Sequence, residues 1–525
     1  MRNNLLLIAL KEAFERNAAR PAIVLPLNPS APPLAFDYPS RHNSPTDAPL
    51  VLGYEKVERQ AGRGAGVLQQ YGVRKGDRVA LCMPSKLKFL FAHLSALYAG
   101  AVALPLNPRI TREELRFFLA DSGARFVVAS NELCAVVESL RPQLPQLHMV
   151  IPEDAVFDRV SVPYSLLDVT AADPCLLMYS SGTTGWPKGI VHTQGNVLSA
   201  LRALQACWRL TPDDVVLNVL PLFHIHGLCF ATLLTLLTGG TLILDDFEPQ
   251  RTLQQIGDCS VFMAVPTIYY RFLEQPNVRD IAKTWQKPRL FTCGSAPIRA
   301  EVLPELQSIL GKPVINRYGM TEAFVITSLP LDGPWPNGSV GLPLEGVELR
   351  VVTDEPRPLG SGAVGAVQIR GPNLFRGYWK PTPSDAPSPP APLPRRGEGR
   401  EDEWFDTGDL GFLDDAGFLT LVGRTNDLII TSGFNVYPQV VERVINECPG
   451  VRESAVLGVP DDRKGERVVA VVVRDDSTLD EDRLRAFLCD RLVDYQRPRT
   501  IMFVDALPRN AMGKVLRKEM HGWFQ

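Results

Sequence analysis

Short runs of β-branched and aliphatic residues alternate with helical stretches along the first two-thirds of the chain. "RVALCMP" (78–84) reads as a strand, "SKLKFLFAHLSALYAG" (85–100) as a helix, and "AVALPLN" (101–107) as a strand again. "ARFVVAS", "GGTLILDD" and "CSVFMAVP" continue the rhythm. Strands separated by helical segments predict parallel sheets with crossover helices. The opening "MRNNLLLIALKEAFERNAARPA" passes at once from an apolar run into charged helix. It lacks a small-residue cleavage site, so it predicts a first amphipathic helix rather than a signal peptide. The most apolar stretch, "LCFATLLTLLTGGTLIL" (228–244), is interrupted by Gly239-Gly240. It is too short to span a bilayer and predicts buried helix, turn and strand.

After residue 340 the texture changes. "GVELRVVT", "GAVQIRG" and "GFLTLVGR" have the look of short antiparallel strands, a small β-barrel-like part of the main lobe. The last hundred or so residues read as a separate α+β unit: a helix in "NVYPQVVERVINECPG", strands in "VRESAVLGVP" and "RVVAVVVRDD", and a helix in "DEDRLRAFLCDRL". The boundary falls in "GRTNDLII" (423–430), giving a large α/β domain over 1–424 and a small mobile domain over 425–525. Residues 28–49 and 381–402 read as mobile surface additions with no catalytic part. The second carries seven prolines between 381 and 394, and neither can bury enough apolar surface to offset the cost of ordering.

Composition narrows the class. At 525 residues the chain holds more than one domain. A formal net charge of −3 gives no footing for nucleic acid or an anionic membrane. The nine cysteines include no C-x-x-C pair, which argues against a metal cluster or disulfide framework and for a reducing cytoplasm.

The stretch "SSGTTGWPKG" (180–189) packs hydroxyls, glycines and one lysine together. Glycine lets backbone N–H groups converge on an anion, and hydroxyls can donate to phosphate oxygens. The common phosphate-loop spacing G-x-x-x-x-G-K-[ST] does not fit, because Trp186 and Pro187 stand between Gly185 and Lys188. Alone the stretch is either a solvated turn or a phosphate loop of another kind.

Six further motifs follow in order: "LPLFHIHGL" (220–228), "GSAP" (294–297), "NRYGMTEA" (316–323), "WFDTGDLG" (404–411), "GRTNDLIITSGFNVYP" (423–438) and "LPRNAMGK" (507–514). With "YSSGTTGWPKG" they resemble, in sequence order, the AMP-forming acyl-CoA synthetase (adenylate-forming) family over nearly the whole chain. That resemblance implies ATP, Mg²⁺ and CoA as reactants. A carboxylate attacks the α-phosphate of ATP to give acyl-adenylate and pyrophosphate, and the thiol of CoA then displaces AMP. The physical demand is neutralisation of two anions brought together.

The resemblance also implies roles. The loop Ser180, Ser181, Gly182, Thr183, Thr184, Gly185 with Lys188 would hold the β- and γ-phosphates, and Thr183 and Glu322 would hold Mg²⁺. Gly294, Ser295, Ala296 and Pro297 would flank the adenine, Tyr318 would stack on it beside Gly319, and Thr321 would contact the α-phosphate. Asp409 would accept from the ribose hydroxyls, and Arg424 would bind ribose or phosphate. Lys514 would bridge carboxylate and phosphate during adenylation and withdraw by domain rotation. Ser432 and Gly433 would lie by the pantetheine arm in the second pose. Taken singly, Tyr318 reads equally as a core aromatic, Asp409 as a turn former, and Arg424 and Lys514 as surface charges.

Two departures stand out. Asn426 occupies a hinge position where the family has Asp or Lys, and Val440 replaces the acidic residue two after Pro438, with Glu442 two further on. For the acid, Arg271 and Arg317 suggest bidentate grip on a second carboxylate, whereas a fatty chain asks for an apolar tunnel. "PTIYYR", "RYGMTE", "FHIHGL" and "GFNVYP" are similar to malonyl-CoA synthetases, which points to malonate or a related dicarboxylate, with His224 and Met320 lining the pocket. The alternatives are a medium-chain or aromatic acid, an enzyme loading a carrier protein in trans, or a nucleotide-binding regulator without turnover. In another reading, Arg271 ends a surface helix, Arg317 orders a loop and His224 is a core histidine.

Overall fold

The computed structural model describes residues 5–26, 49–157, 163–165, 167–180, 187–353, 362–379, 404–431, 434–461, 465–509 and 514–524. The additions expected at 28–49 (apart from Pro49) and 381–402 lie outside them, as do Ser181, Gly182, Thr183, Thr184, Gly185, Ser432 and Gly433.

The strand–helix rhythm resolves into two large mixed sheets. One has seven strands in the order Gly377–Tyr378, Lys188–Thr193, Pro174–Ser180, Val102–Pro105, Arg78–Cys82, Phe126–Ala129 and Met149–Pro152. The last five are parallel; the first three form antiparallel pairs. The other has nine strands, and its central six are parallel: Val314–Met320, Leu290–Cys293, Val261–Ala264, Val215–Asn218, Thr241–Leu244 and Pro21–Leu25. A contiguous core joins the two sheets, with Leu81, Leu90 and Leu94 in one cluster with Leu242, Met263 and Ile315. The helix Lys86–Tyr98 between them is buried from Phe89 to Tyr98 and starts at Ser85, whose side chain accepts from the Lys88 N–H. A helix apolar all round belongs inside a core.

The apolar stretch at 228–244 is helix, turn and strand as predicted, but it opens as a π-helix, His226–Leu233, before the α-helix Leu234–Thr238. The cause is local. The Gly227 carbonyl accepts from the Asn218 side-chain amide at 2.9 Å and from the Thr232 hydroxyl at 2.8 Å. Side-chain donors thus meet a carbonyl that ordinary helical pairing would hold, and the turn widens. Gly239 at φ +82 ends the helix in the left-handed region.

The strands predicted after residue 340 form an antiparallel sheet in the order Glu348–Val352, Gly365–Arg370, Phe405–Leu413 and Leu419–Arg424. A one-turn 3₁₀ segment, Thr425–Asp427, leads to the final unit, where Ile429–Thr431, Phe434–Val436, Val451–Asp461, Gly465–Arg474 and Thr500–Val504 share a sheet. Helices Pro438–Asn446 and Glu481–Cys489 cover it, and the unit has its own core around Val441, Ile445, Val468, Val472 and Leu484. Among the described residues no helix is long and apolar enough to cross a membrane.

Candidate active site

The predicted nucleotide motifs gather at the carboxyl ends of neighbouring parallel strands, where open α/β sheets bind ligands. Leu290–Cys293 delivers Gly294, Ser295, Ala296 and Pro297; its parallel neighbour Val314–Met320 delivers Arg317, Tyr318, Gly319 and Met320, and Thr321 and Glu322 follow. The antiparallel sheet contributes Asp409 and Arg424, which its register sets opposite each other. Tyr318 donates its hydroxyl to Asp409 Oδ2 at 2.5 Å, and Arg424 Nε stands 3.0 Å from Asp409 Oδ1. Burial and then the Asp409 charge push the Tyr318 phenol up, so it stays a donor. Burial pulls the Arg424 guanidinium down, but Asp409 and then Tyr318 outweigh it and its pKa is raised.

Ser180 and Lys188 face each other at the loop end of the hairpin formed by Pro174–Ser180 and Lys188–Thr193. Lys188 Nζ lies 5.2 Å from the Tyr378 ring centre, and Tyr378 donates to Glu322 Oε1 at 3.1 Å. Tyr378 is a site residue that the sequence reading misses; its signal is the Gly377-Tyr378-Trp379 run before the proline-rich stretch. Burial raises the pKa of Glu322, against the pull of its own backbone N–H, Tyr378, Arg424 and Lys188. A buried carboxylate among donors and cations is a hard oxygen ligand suited to Mg²⁺, which takes its other ligands from phosphates and water. Among the described residues no three His, Cys, Asp or Glu gather into a metal cage.

Lys514 approaches from the C-terminal unit. It is half-buried in the field of Arg424, Asp409, Asp427 and Arg517, and burial, then Arg424, lower its pKa. Its segment is anchored on both sides: Arg509 and Val515 form a bridge, and Arg517 Nη2 reaches the Glu442 carboxylate at 2.6 and 2.8 Å. Glu442 is the acid two beyond Val440 on the helix Pro438–Asn446, and its carboxylate is the one that holds Arg517.

Beside this cleft is a second buried group. Arg317 is 4% exposed, and among the described residues its Nε and Nη2 have no hydrogen-bond partner. Its guanidinium carbon lies 4.8 Å from the Phe230 ring centre and so close under Gly294 that a Cβ there would sit 2.7 Å from it. Burial lowers its pKa to about 10, so it stays charged at neutral pH. His224 falls to about 4 through burial and then the Arg317 charge, and His226 is lowered by the same causes. His226 Nδ1 is 3.2 Å from Ser295 Oγ, and Ser295 holds a left-handed φ of +70. Arg271 is a correction to the expected pair of arginines. It sits on the last turn of the helix Pro266–Leu273 with its side chain 65% exposed and pairs with Glu274 at 3.3 Å. A partner three residues on along an exposed turn satisfies its charge at the surface, so Arg271 is not a second buried guanidinium beside Arg317.

Fold and site together define an enzyme that activates acids on a nucleotide. The chain matches the AMP-binding enzyme family over residues 37–379 and the AMP-binding enzyme C-terminal domain over 440–514, and it belongs to that family. It is an acid–CoA ligase, and the acyl-CoA synthetases of this family use ATP, Mg²⁺ and CoA. It is 35% identical over 487 residues to a feruloyl-CoA synthase of Amycolatopsis, covering 90% of this chain and 94% of that one. It is 32% identical over 500 residues to a mitochondrial malonate–CoA ligase of Bos taurus, covering 86% and 82%. Other relatives are named for oxalate and long-chain fatty acids. ATP-bound MatB from Rhodopseudomonas palustris superposes with a TM-score of 0.86 at 34% identity over 99% of both chains; apo MatB, at the same identity and coverage, gives 0.77.

Proposed function

We propose that the enzyme converts malonate or a closely related dicarboxylate, with ATP and CoA, into the acyl-CoA, AMP and pyrophosphate. The observation that carries this reading is the Arg317 guanidinium, buried with its Nε and Nη2 edge unpartnered. Such a charge is costly unless something anionic meets it. The Nε–Nη2 edge is the fork that grips a carboxylate in bidentate fashion. A fatty chain offers it no acceptor, and a feruloyl ring offers only neutral oxygens in place of an anion.

The attacking carboxylate is already an anion, so the first step needs no general base; it needs cations. We assign that work to Lys514, Arg424 and Lys188; Glu322 and Thr183 would hold Mg²⁺, which would supply further positive charge against the phosphates. Ser180 to Gly185 would cradle the β- and γ-phosphates. Gly294 to Pro297 and Tyr318 would hold the adenine, Thr321 the α-phosphate, and Asp409 the ribose diol through the acceptor capacity left beside Tyr318 and Arg424. Met320 and His224 would line the acyl pocket. In the second step the unit from 425 onward would swing about Thr425–Asp427, removing Lys514 and bringing Ser432 and Gly433 to the pantetheine arm. The better fit to the ATP-bound than to the apo MatB structure supports reading the present arrangement as the adenylating one.

A panel of malonate, methylmalonate, butyrate, decanoate and ferulate, assayed by AMP release with CoA, tests the substrate. Malonate or methylmalonate is expected to exceed butyrate in kcat/KM by about 100-fold or more, because a site built to hydrogen-bond a polar group strongly rejects its isostere. A monocarboxylate at the head of the panel removes the dicarboxylate reading and leaves the ligase. A lack of ATP–pyrophosphate exchange with every acid in the panel would sink the proposed first step.

A further inference from the structure

The turn that carries Thr321 and Glu322 is held from outside at successive carbonyls. The His192 Nε2–H donates to the Thr321 carbonyl at 2.7 Å, the Phe375 N–H to the Glu322 carbonyl at 2.8 Å, and the Asn373 amide to the Ala323 carbonyl at 2.7 Å. Within the turn the Ala323 N–H to Met320 carbonyl bond, 3.2 Å, closes it, at the end of the strand pairing that sets Met320 opposite Phe324. The turn is also strained. Phe324 has φ +57, a region that non-glycine residues rarely adopt, and a Cβ on Gly319 would lie 2.0 Å from the Phe324 carbonyl oxygen. A conformation of this kind persists only where its surroundings over-determine it.

His192 is the telling member. It sits in the strand Lys188–Thr193, four residues after Lys188, fully buried with its ring 4.3 Å from that of Phe324. One ring nitrogen makes the bond to Thr321; the other, Nδ1, is buried with no partner among the described residues. Leucine would fill such a place without stranding a polar atom, so what the histidine adds is the one N–H. Asn373 is alike: its amide nitrogen bonds Ala323, and its Oδ1 is buried without a partner among the described residues.

We propose that His192 and Asn373 are positioning residues that fix the Thr321–Glu322 turn for Mg·ATP, and that His192 ties this turn to the hairpin bearing the hydroxyl-rich loop. The inference rests on the reading of Thr321 and Glu322 as nucleotide and Mg²⁺ contacts. Groups that orient a metal-binding carboxylate from behind share its importance without touching the ligand.

The test is calorimetric binding of Mg·α,β-methylene-ATP to the full-length chain, with KM measured separately for Mg·ATP and for the acid. His192→Leu and Asn373→Ala are each expected to weaken Mg·α,β-methylene-ATP binding and raise KM for Mg·ATP roughly 10–100-fold, the range for loss of such outer partners. KM for the acid should stay near wild type. His192→Gln, which keeps a donor, should restore most of the loss. Equal binding by His192→Leu, His192→Gln and wild type, with Glu322→Gln weakened, overturns the inference and keeps the assignment of Glu322. Unaltered binding by Glu322→Gln itself overturns that assignment. If His192→Leu does not fold, Asn373→Ala decides: a rise in acid KM as large as that for Mg·ATP rejects the positioning role.

Discussion

Lys514→Ala is expected to slow acyl-adenylate formation by about two to three orders of magnitude, the scale on which losing one preorganised charge contact at a developing anion is felt. Conversion of supplied acyl-adenylate to acyl-CoA should stay within a few-fold of wild type. The asymmetry follows from geometry. In the present arrangement Lys514 shares the field of Asp409, Arg424 and Asp427, beside the motifs that ring the cleft. Its segment hangs from the C-terminal unit through the Arg509–Val515 bridge and the Arg517–Glu442 pair, so the cation travels with that unit. On the proposed swing of that unit for the thiol step, the lysine would leave with it. Single-turnover measurements on the separated half-reactions check this, and equal loss in both rejects it.

A pH consequence accompanies that prediction. Burial and the nearby Arg424 lower the Lys514 pKa, so in the free enzyme it loses its proton at a lower pH than an ordinary lysine. In the role proposed for Lys514 the protonated form is the working one, since it would meet two anions. kcat/KM for adenylation should therefore fall on the alkaline side with a midpoint below the usual lysine value of about 10.4, and the thiol half-reaction should lack that limb. Lys514→Ala should abolish the alkaline limb along with the rate.

Strands buried on both faces are legible in sequence because they are unbroken apolar runs: Val79–Cys82, Phe126–Ala129 and Val261–Ala264 are buried residue by residue. Their order in the sheet is not legible. Pro21–Leu25 pairs with Thr241–Leu244, more than 200 residues on, and no local pattern encodes a pairing that tertiary packing selects. The π-turn at His226 is hidden for a related reason: it needs Asn218 and Thr232 to compete for one carbonyl, a three-body arrangement rather than a periodicity.

The site divides along the same line. Motif order picks out Tyr318, Glu322, Asp409, Arg424 and Lys514, and the structure brings them within electrostatic reach of one another. Sequence does not separate Arg271 from Arg317, because both are arginines next to tyrosines. Their fates differ through setting: one ends an exposed helix with Glu274 in reach, the other points inward from a central strand under Gly294. Tyr378, His192 and Asn373 escape notice because each acts on the site through another residue.

Arg317→Met is expected to cut kcat/KM for malonate by roughly 10⁴-fold or more, the scale of discrimination in sites built around a polar partner, while butyrate turnover stays level or rises. The same variant should be as stable as wild type or more so. Arg317 is buried with Nε and Nη2 unpartnered, its charge disfavoured by burial strongly enough to bring its pKa to about 10. An uncompensated buried charge costs on the order of several kcal/mol, and an apolar side chain of similar length sheds that cost while keeping contact with Phe230. Where a guanidinium serves only to order a loop, its removal lowers the melting temperature and acid specificity does not change. Where it waits for a carboxylate, its removal raises or preserves the melting temperature and specificity collapses. Malonate added to wild type should raise the melting temperature through linkage to the folded state, and should do nothing to Arg317→Met. Thermal denaturation of both proteins with and without malonate, beside the acid panel, separates the two cases; a destabilised Arg317→Met with full malonate turnover removes the dicarboxylate pocket.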